Sequence, residues 1–364
     1  MAMRYVIDTK VIDDYTAGSK ARADIDAILC NNGFYKKNIY VGDNKKAVVR
    51  EILNIKQQIR EIFTDLENDS VVVFQYPWPT MHYSFAKEIH KICSKKNIKT
   101  IALIHDLNSV RTGSKVTRFY YNHLVKEIKF LDSFNVIISH NKRMKQYLIN
   151  HGISENKIVA LELFDYLANK DITDEHSLHF NRINIAGNLS RHKTGYIYDL
   201  INLNPKAYSF ILFGPNYEED GNPVVEYKGA FPPDELPSVL NSGFGLVWDG
   251  NSIECCEGHF GEYLKINNPH KLSLYMACGI PVIVWNRSAI SDFVIENEVG
   301  YAVNSLREIE QIMSSLSNEE YRKLVNNATN VQKKVVEGTY LLRSINKAFD
   351  ILNLKKYEQQ ANTK

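Results

Sequence analysis

Short apolar runs alternate with longer stretches of helical period from the first residues to about position 304. Met3–Asp8 reads as a strand, followed by a small-residue loop holding Thr16, Gly18 and Ser19, and a helix over Ala21–Asn31 that stops at Gly33. Asn38–Val41 is a second strand. Val48, Ile52, Ile55, Ile59, Ile62 and Phe63 then mark one face of a long amphipathic helix. The apolar strand Ser70–Tyr76 ends at Pro77-Trp78-Pro79. A helix runs on to Ser94, and the strand Lys99–Ile104 ends on His105-Asp106. Helical period returns over Lys115–Leu131, then come strand Asn135–Ser139, helix Lys142–Asn150 and strand Lys157–Leu161. Such regular alternation predicts a mostly parallel, doubly wound sheet.

Between Asp165 and Asn181 the period fades, which marks an interdomain linker. A second alternation follows: strand Arg182–Ala186, a helix from about Lys193, strands Ser209–Phe213 and Val224–Tyr227, and helix Pro233–Asn241. Phe244–Trp248 is a strand that breaks at Asp249-Gly250. Polar Ile253–Asn268, with Gly258 and Gly261, reads as a loop. Pro269 opens a helix that Gly279 closes, and Pro281–Trp285 is the next strand. Helix Ser288–Glu296 and strand Gly300–Val303 complete the set, and the tail is helical from Ser305 to about Leu352. The expected architecture is α/β, with two Rossmann-like domains facing across a cleft: residues 1–168, residues 180–335, and a C-terminal helical segment 336–364 packing back on the first.

Composition narrows the function only by exclusion. In 364 residues, 44% are apolar and 24% charged, and the formal charge of +2 argues against a protein held to nucleic acid by charge. No window approaches about 18 consecutive apolar residues, and the amino terminus lacks a signal-peptide core. A cytoplasmic protein is expected, free to touch the inner face of a membrane without spanning it. Five cysteines with no C-x-x-C pair suit free thiols better than a disulfide framework or zinc site. Long C-terminal helices suit a homo-oligomer or a return crossing within one chain.

Dinucleotide, P-loop, G-x-S-x-G and H-E-x-x-H signatures are all absent. Polar and glycine-flanked strand ends stand in their place. Gly187-Asn188 closes the first strand of the second domain, with Arg191 a turn later; Gly lets backbone approach a phosphate, and Arg can fork onto its oxygens. An ordinary turn with a solvated Arg fits as well. The helix opening near Pro269 offers unpaired N–H groups to an anion. His270 and Lys271 sit in that first turn, where a cation opposes the dipole unless an anion binds, and Asn267 and Asn268 precede it; a capping Asn beside an exposed Lys is the plainer account. His105 and Asp106 are candidate general bases for deprotonating a hydroxyl, with a helix-capping role open for Asp106. Trp78 and Trp248 could stack on a ligand or pack a wall, and Asp249 and Glu254 could accept from sugar hydroxyls.

G-F-G-L-V-W-D-G, N-N-P-H-K-L-S-L-Y and A-C-G-I-P-V-I-V-W, preceded in order by M-R-Y-V-I, V-V-V-F-Q-Y-P, I-A-L-I-H-D and A-G-N-L-S-R, resemble the bacterial galactofuranosyltransferases. That family is similar to the glucosyltransferases that extend O-linked N-acetylglucosamine on serine-rich streptococcal adhesins. The resemblance implies a glycosyltransferase B fold, with a UDP-sugar donor on the second domain and no essential metal or other cofactor. It also implies an acceptor on the first domain: a glycan, a lipid-linked oligosaccharide or a glycoprotein. It places Arg191 at the diphosphate, Asn268, His270 and Lys271 around ribose and phosphates, Tyr227 beside the uracil, and the Gly18-Ser19 loop closing onto UDP. The long segment Ile253–Lys265 looks more like the galactofuranosyltransferases. A sugar-nucleotide epimerase and a catalytically silent sugar-binding subunit share this plan.

Overall fold

The computed structural model describes residues 2–11, 17–41, 48–77, 85–111, 118–168, 180–219 and 221–354. Its first half runs β1 (Arg4–Val11), α1 (Ala17–Asn31), β2 (Tyr35–Val41), α2 (Val48–Asp65), β3 (Val71–Tyr76) and α3 (Phe85–Lys95). It continues with β4 (Lys99–Ile104), α4 (Asn108–Arg111), α5 (Arg118–Asp132), β5 (Val136–Ser139), α6 (Lys142–Asn150) and β6 (Ile158–Ala160). The second half runs β7 (Arg182–Ala186), α7 (Arg191–Thr194), β8 (Ser209–Phe213), β9 (Val225–Tyr227), α8 (Leu236–Val239) and β10 (Phe244–Val247). After these come α9 (Gly258–Leu264), α10 (His270–Ala277), β11 (Val282–Trp285), α11 (Ser291–Glu296) and β12 (Gly300–Val303). Three helices close the chain: α12 (Glu308–Ser315), α13 (Asn318–Val335) and α14 (Thr339–Ile351).

The strands form two six-stranded sheets, ordered β2-β1-β3-β4-β5-β6 and β12-β11-β10-β7-β8-β9, with parallel pairing throughout. The winding direction reverses between β1 and β3 in one sheet and between β7 and β10 in the other. Ligands of open α/β sheets bind outside the carboxyl ends of strands at such reversals. Gly187 follows β7 and Asp249 lies just past β10, so the two flank the second reversal. Central strands such as Val71–Tyr76 and Val282–Trp285 are buried along their whole length, as strands covered by helices on both faces must be.

Three local readings of the sequence give way to the structure. The segment 253–268, read as a loop, contains the helix α9. Its apolar residues Phe260, Tyr263 and Leu264 have helical spacing, but two glycines disguise it. Gly261 is glycine because a β-carbon there would stand 2.2 Å from the Cys256 carbonyl oxygen. Next, Gly18 and Ser19 do not form a loop; they belong to the first turn of α1, which begins four residues earlier than the sequence period suggests. Finally, the helical tail is three helices. Ser317 and Glu320 break it with a reciprocal capping box at the start of α13, and Gly338, at φ 76°, separates α13 from α14.

The chain then crosses back. α14 packs on α1, β5 and β6 of the first sheet, burying Leu341, Ile345, Ala348 and Phe349 in a core that also holds Val6, Val73 and Ile138. Asp165 fastens this return, accepting from the Tyr340 and Leu341 amides at 3.2 and 2.7 Å. Of the segment read as the linker, residues 169–179 lie outside the described residues.

Candidate active site

At the second reversal the backbone of Gly187 has φ 122°, a region closed to most side chains, and a β-carbon there would meet Lys271 Cε at 3.3 Å. Lys271 lies over this bare backbone because α10 is fixed one turn later. The Tyr275 hydroxyl donates to Asn184 O and accepts from the Ala186 amide, both at 2.9 Å, which holds α10 on β7. Four residues apart, Lys271 and Tyr275 share one helix face. Lys271 Nζ donates to Asp249 Oδ1 at 2.8 Å and to the Trp248 carbonyl at 3.3 Å, and both side chains of this pair are about nine-tenths buried.

Lys193 joins this group, although no sequence signal singled it out. The Asp249 charge pulls its ammonium pKa up, but burial and the Lys271 and Arg111 cations outweigh that, and the net direction is down. The Asp106 carboxylate also acts on it, from the opposite half. Two partly buried lysines around one aspartate leave a surplus of positive charge, an arrangement suited to a bound anion.

Asp106 stands across the cleft, just past β4. Arg111 Nη1 donates to its Oδ2 at 2.6 Å, and Tyr263 of α9 donates to its Oδ1 at 3.1 Å. Burial pushes its carboxyl upward against the opposing effects of Arg111, the Tyr263 hydrogen bond, Arg22 and Lys193. The strand-end loop is rigid because the buried Glu127 carboxylate accepts from the Asn108 and Ser109 amides at 2.9 and 3.0 Å and from the Tyr76 hydroxyl at 2.6 Å.

His105 has a different environment. Both amide hydrogens of Gln75 are engaged by Arg22 O and Asp26 Oδ1, so its Oε1 is left to accept from His105 Nε2 at 2.8 Å. The ring stacks on Phe164 at 5.7 Å. Burial, reinforced by Arg22, His140 and His270, drives its pKa well below the ordinary imidazole range, which makes it a poor proton acceptor.

The other candidate residues fall into two groups. Asn267, Asn268 and His270 lie at the joint between the halves. Asn268 donates its amide hydrogens to the His140 and Glu162 carbonyls at 2.8 and 3.0 Å, accepts from Asn141 Nδ2 at 2.7 Å, and gives its backbone N–H to His140 Nδ1 at 2.9 Å. Its side chain therefore staples the halves and keeps no hydrogen for a ligand. Asn267 Oδ1 and His270 Nε2 are buried and have no hydrogen-bond partner among the described residues. His270 packs beside Tyr166 at 5.2 Å, and burial with the nearby Lys20 charge lowers its pKa to about 3. Gly18 and Ser19 start α1, which packs against α10.

Arg191 and Tyr227 are the ends of one aromatic row. Tyr227 lies 5.0 Å from Tyr217, Tyr217 lies 5.7 Å from Tyr198, and the Arg191 guanidinium covers Tyr198 at 3.6 Å while donating to Glu218 at 2.7 Å. The Tyr227 hydroxyl donates to Gly214 O. Asn188 accepts from the Ser190 amide and from Asn216 Nδ2 at the same rim. Trp248 is fully buried with its indole N–H on Ser252 O, and the exposed Glu254 pairs with Arg307. Trp78 lies outside the described residues. The five cysteines are free thiols, as expected. No described helix is long and apolar enough to cross a membrane.

Comparison with known proteins gives this geometry its context. Residues 3–163 match the N-terminal domain, and residues 183–348 the C-terminal domain, of the glucosyltransferase 3-like family. The β-1,6-galactofuranosyltransferase WbbI of Escherichia coli K12 is 33% identical over 311 residues, spanning 85% of this chain and 87% of its own. Glucosyltransferase 3 of Streptococcus gordonii is 26% identical over 331 residues, spanning 88% and 90%. Among solved structures, sucrose-phosphate synthase from Thermosynechococcus elongatus superposes with a TM-score of 0.62 at 12% identity, over 93% of this chain and 97% of its own. A glycosyltransferase from Rickettsia africae superposes at 0.61 and 16%, over 97% and 100%. At such identities these neighbours speak for the fold alone, the two-sheet glycosyltransferase B architecture expected from the sequence. Because both halves match and a transferase relative is similar nearly end to end, the chain belongs to the glucosyltransferase 3-like family and is a glycosyltransferase.

Proposed function

We propose that the protein transfers a galactofuranosyl group from a UDP-sugar to a hydroxyl of a glycan acceptor, by a single displacement that inverts the anomeric centre. The observation that carries this reading is the Lys271–Asp249 pair at the second sheet's reversal, with the partly buried Lys193 beside it and the Asp106 charge acting from the other half. The acceptor oxygen attacks the anomeric carbon, its proton passes to the Asp106 carboxylate, and the bond from that carbon to the diphosphate oxygen breaks. Lys271, Lys193 and the α10 N-terminus take up the charge developing on the leaving UDP. With those cations supplied by the chain itself, transfer continues when divalent metal is chelated. Asp106 is preferred to His105 as the base because burial raises the basicity of the first and lowers that of the second. The relative at 33% identity favours galactofuranose over glucose as the donor sugar.

A panel of UDP-sugars, scored for UDP release with and without glycan acceptors in EDTA, tests the reading. Acceptor-dependent release from UDP-galactofuranose supports it. Isomerisation of the donor without an acceptor identifies an epimerase, and binding of sugar chains without turnover identifies a silent subunit.

A further inference from the structure

Beside Asp106 lies an aromatic patch that the proposed mechanism does not use. His259 and Phe260 of α9 sit with ring centroids 4.0 Å apart, and His192 of α7 is 5.6 Å from each. Lys193 Nζ lies 5.8 Å from the Phe260 ring centre, over its face. His192 is exposed, and His259 and Phe260 are half-buried. Phe260 packs against none of the three apolar cores of the described residues. An aromatic ring held at a cleft without a core to fill is placed for contact with something else.

The direction of the patch follows from α9. Tyr263 lies three residues after Phe260 and four after His259, on the same helix face. That tyrosine reaches into the first half, where it joins the apolar core and bonds Asp106 and the Leu107 amide. Tyr263 on one side and Lys193, which feels the Asp106 charge, on the other bring the rings into the neighbourhood of Asp106. A pyranose or furanose ring presents an apolar C–H face with a rim of hydroxyls. Phe260 matches the face, and His192 and His259 offer ring nitrogens to the rim.

We propose that Phe260, His259 and His192 form a stacking shelf for the acceptor sugar, the ring whose hydroxyl meets Asp106. This rests on the reading of the protein as a transferase to glycans. The test measures initial rates with octyl glycosides of glucose, galactose and N-acetylglucosamine in both anomers, varying acceptor and donor separately. Phe260→Ala is expected to raise acceptor KM about tenfold, the scale of one lost stacking contact, with donor KM within about twofold. Phe260→Trp is expected to restore acceptor KM. His192→Ala, at an exposed position that folding does not need, is expected to raise it about threefold. Unchanged acceptor KM in both alanine variants overturns the shelf, as does a rise confined to donor KM. A wild type whose UDP release no glycoside accelerates overturns the proposed transfer to glycan hydroxyls as well.

Discussion

The Tyr263 hydroxyl donates to Asp106 Oδ1 at 3.1 Å and accepts from the Leu107 amide at 2.9 Å, although Tyr263 belongs to the second half and Asp106 to the first. One phenol thus orients a strand-end carboxylate of the opposite sheet. Tyr263→Phe keeps the buried ring and removes both bonds. Because the bond lowers the Asp106 pKa, its loss moves that pKa further up. The expected result is an acid limb of kcat displaced to higher pH and kcat reduced about tenfold at neutral pH, the scale of one hydrogen bond. A variant with the wild-type pH profile would argue that Tyr263 only packs.

Asp106 itself must be ionised to accept a proton. Its pKa is raised, mainly by burial, so activity rises with pH across a range above that of an ordinary carboxylate. Asp106→Asn should cost about 100- to 10,000-fold in transfer and leave UDP affinity unchanged. Calorimetric titration of UDP beside a transfer assay separates the two effects.

Breaking the buried cluster should have opposite effects on stability and on UDP. Asp249→Asn leaves Lys193 and Lys271 without their counter-charge and should destabilise the fold by about 3 kcal/mol, as loss of one partner of a buried pair does. Bound UDP replaces the missing negative charge, so thermal stabilisation by saturating UDP should be larger than in the wild type. An unchanged melting temperature would show that the lysines are solvated in the free enzyme.

Lys271 and Arg191 should not contribute equally. Lys271 is buried on bare backbone, and Lys271→Met should weaken UDP binding by about 1.5–3 kcal/mol, the scale of charge-assisted contacts. Arg191 is 54% exposed and already paired with Glu218, so Arg191→Ala should cost no more than about 1 kcal/mol. Equal losses in the two variants would mean that Arg191 leaves Glu218 when nucleotide binds.

Stability should fall as pH rises through neutrality. Burial lifts the Asp165 carboxyl to about 8 in the folded chain and Asp24 to about 6, against ordinary values near 3.8. Folding therefore takes up protons between the unfolded and folded values. The stabilisation is complete below about pH 4 and is lost as pH climbs through the folded values. Asp165 alone makes stability fall with pH most steeply between about pH 5 and 7, the fall tapering off near pH 8. Asp165→Asn should flatten that part of the curve in urea unfolding between pH 5 and 9.

The order of strands was legible in the sequence because apolar runs such as Val71–Tyr76 and Val282–Trp285 carry their own signal. Glycine and lysine at strand and helix ends were legible too: Gly187, Asp249 and Lys271 were named from the sequence, and the fold brings them together. What stayed hidden depends on partners far along the chain. Gly258 and Gly261 made α9 look like a loop, since nothing local reveals that Cys256 forbids a side chain at 261. Lys193 reads as a surface lysine until Asp249 and Lys271 surround it. Asn268 reads as a free cap or ligand, and only the His140 and Glu162 carbonyls, over 100 residues away, show that its hydrogens are taken.

The return of α14 to the first sheet separates chain order from physical order. Asp165 on the outgoing segment caps the helix of the incoming one, and the Tyr166 amide donates to Val335 O at 3.2 Å, so both crossings lie side by side. Asp165 and Tyr166 thus tie the outgoing segment directly to the returning one. A chain cut after residue 168 would leave the seat of Phe349 and Ile345 open to water. The first half should therefore be produced alone only as a circular permutant that leads with residues 336–354.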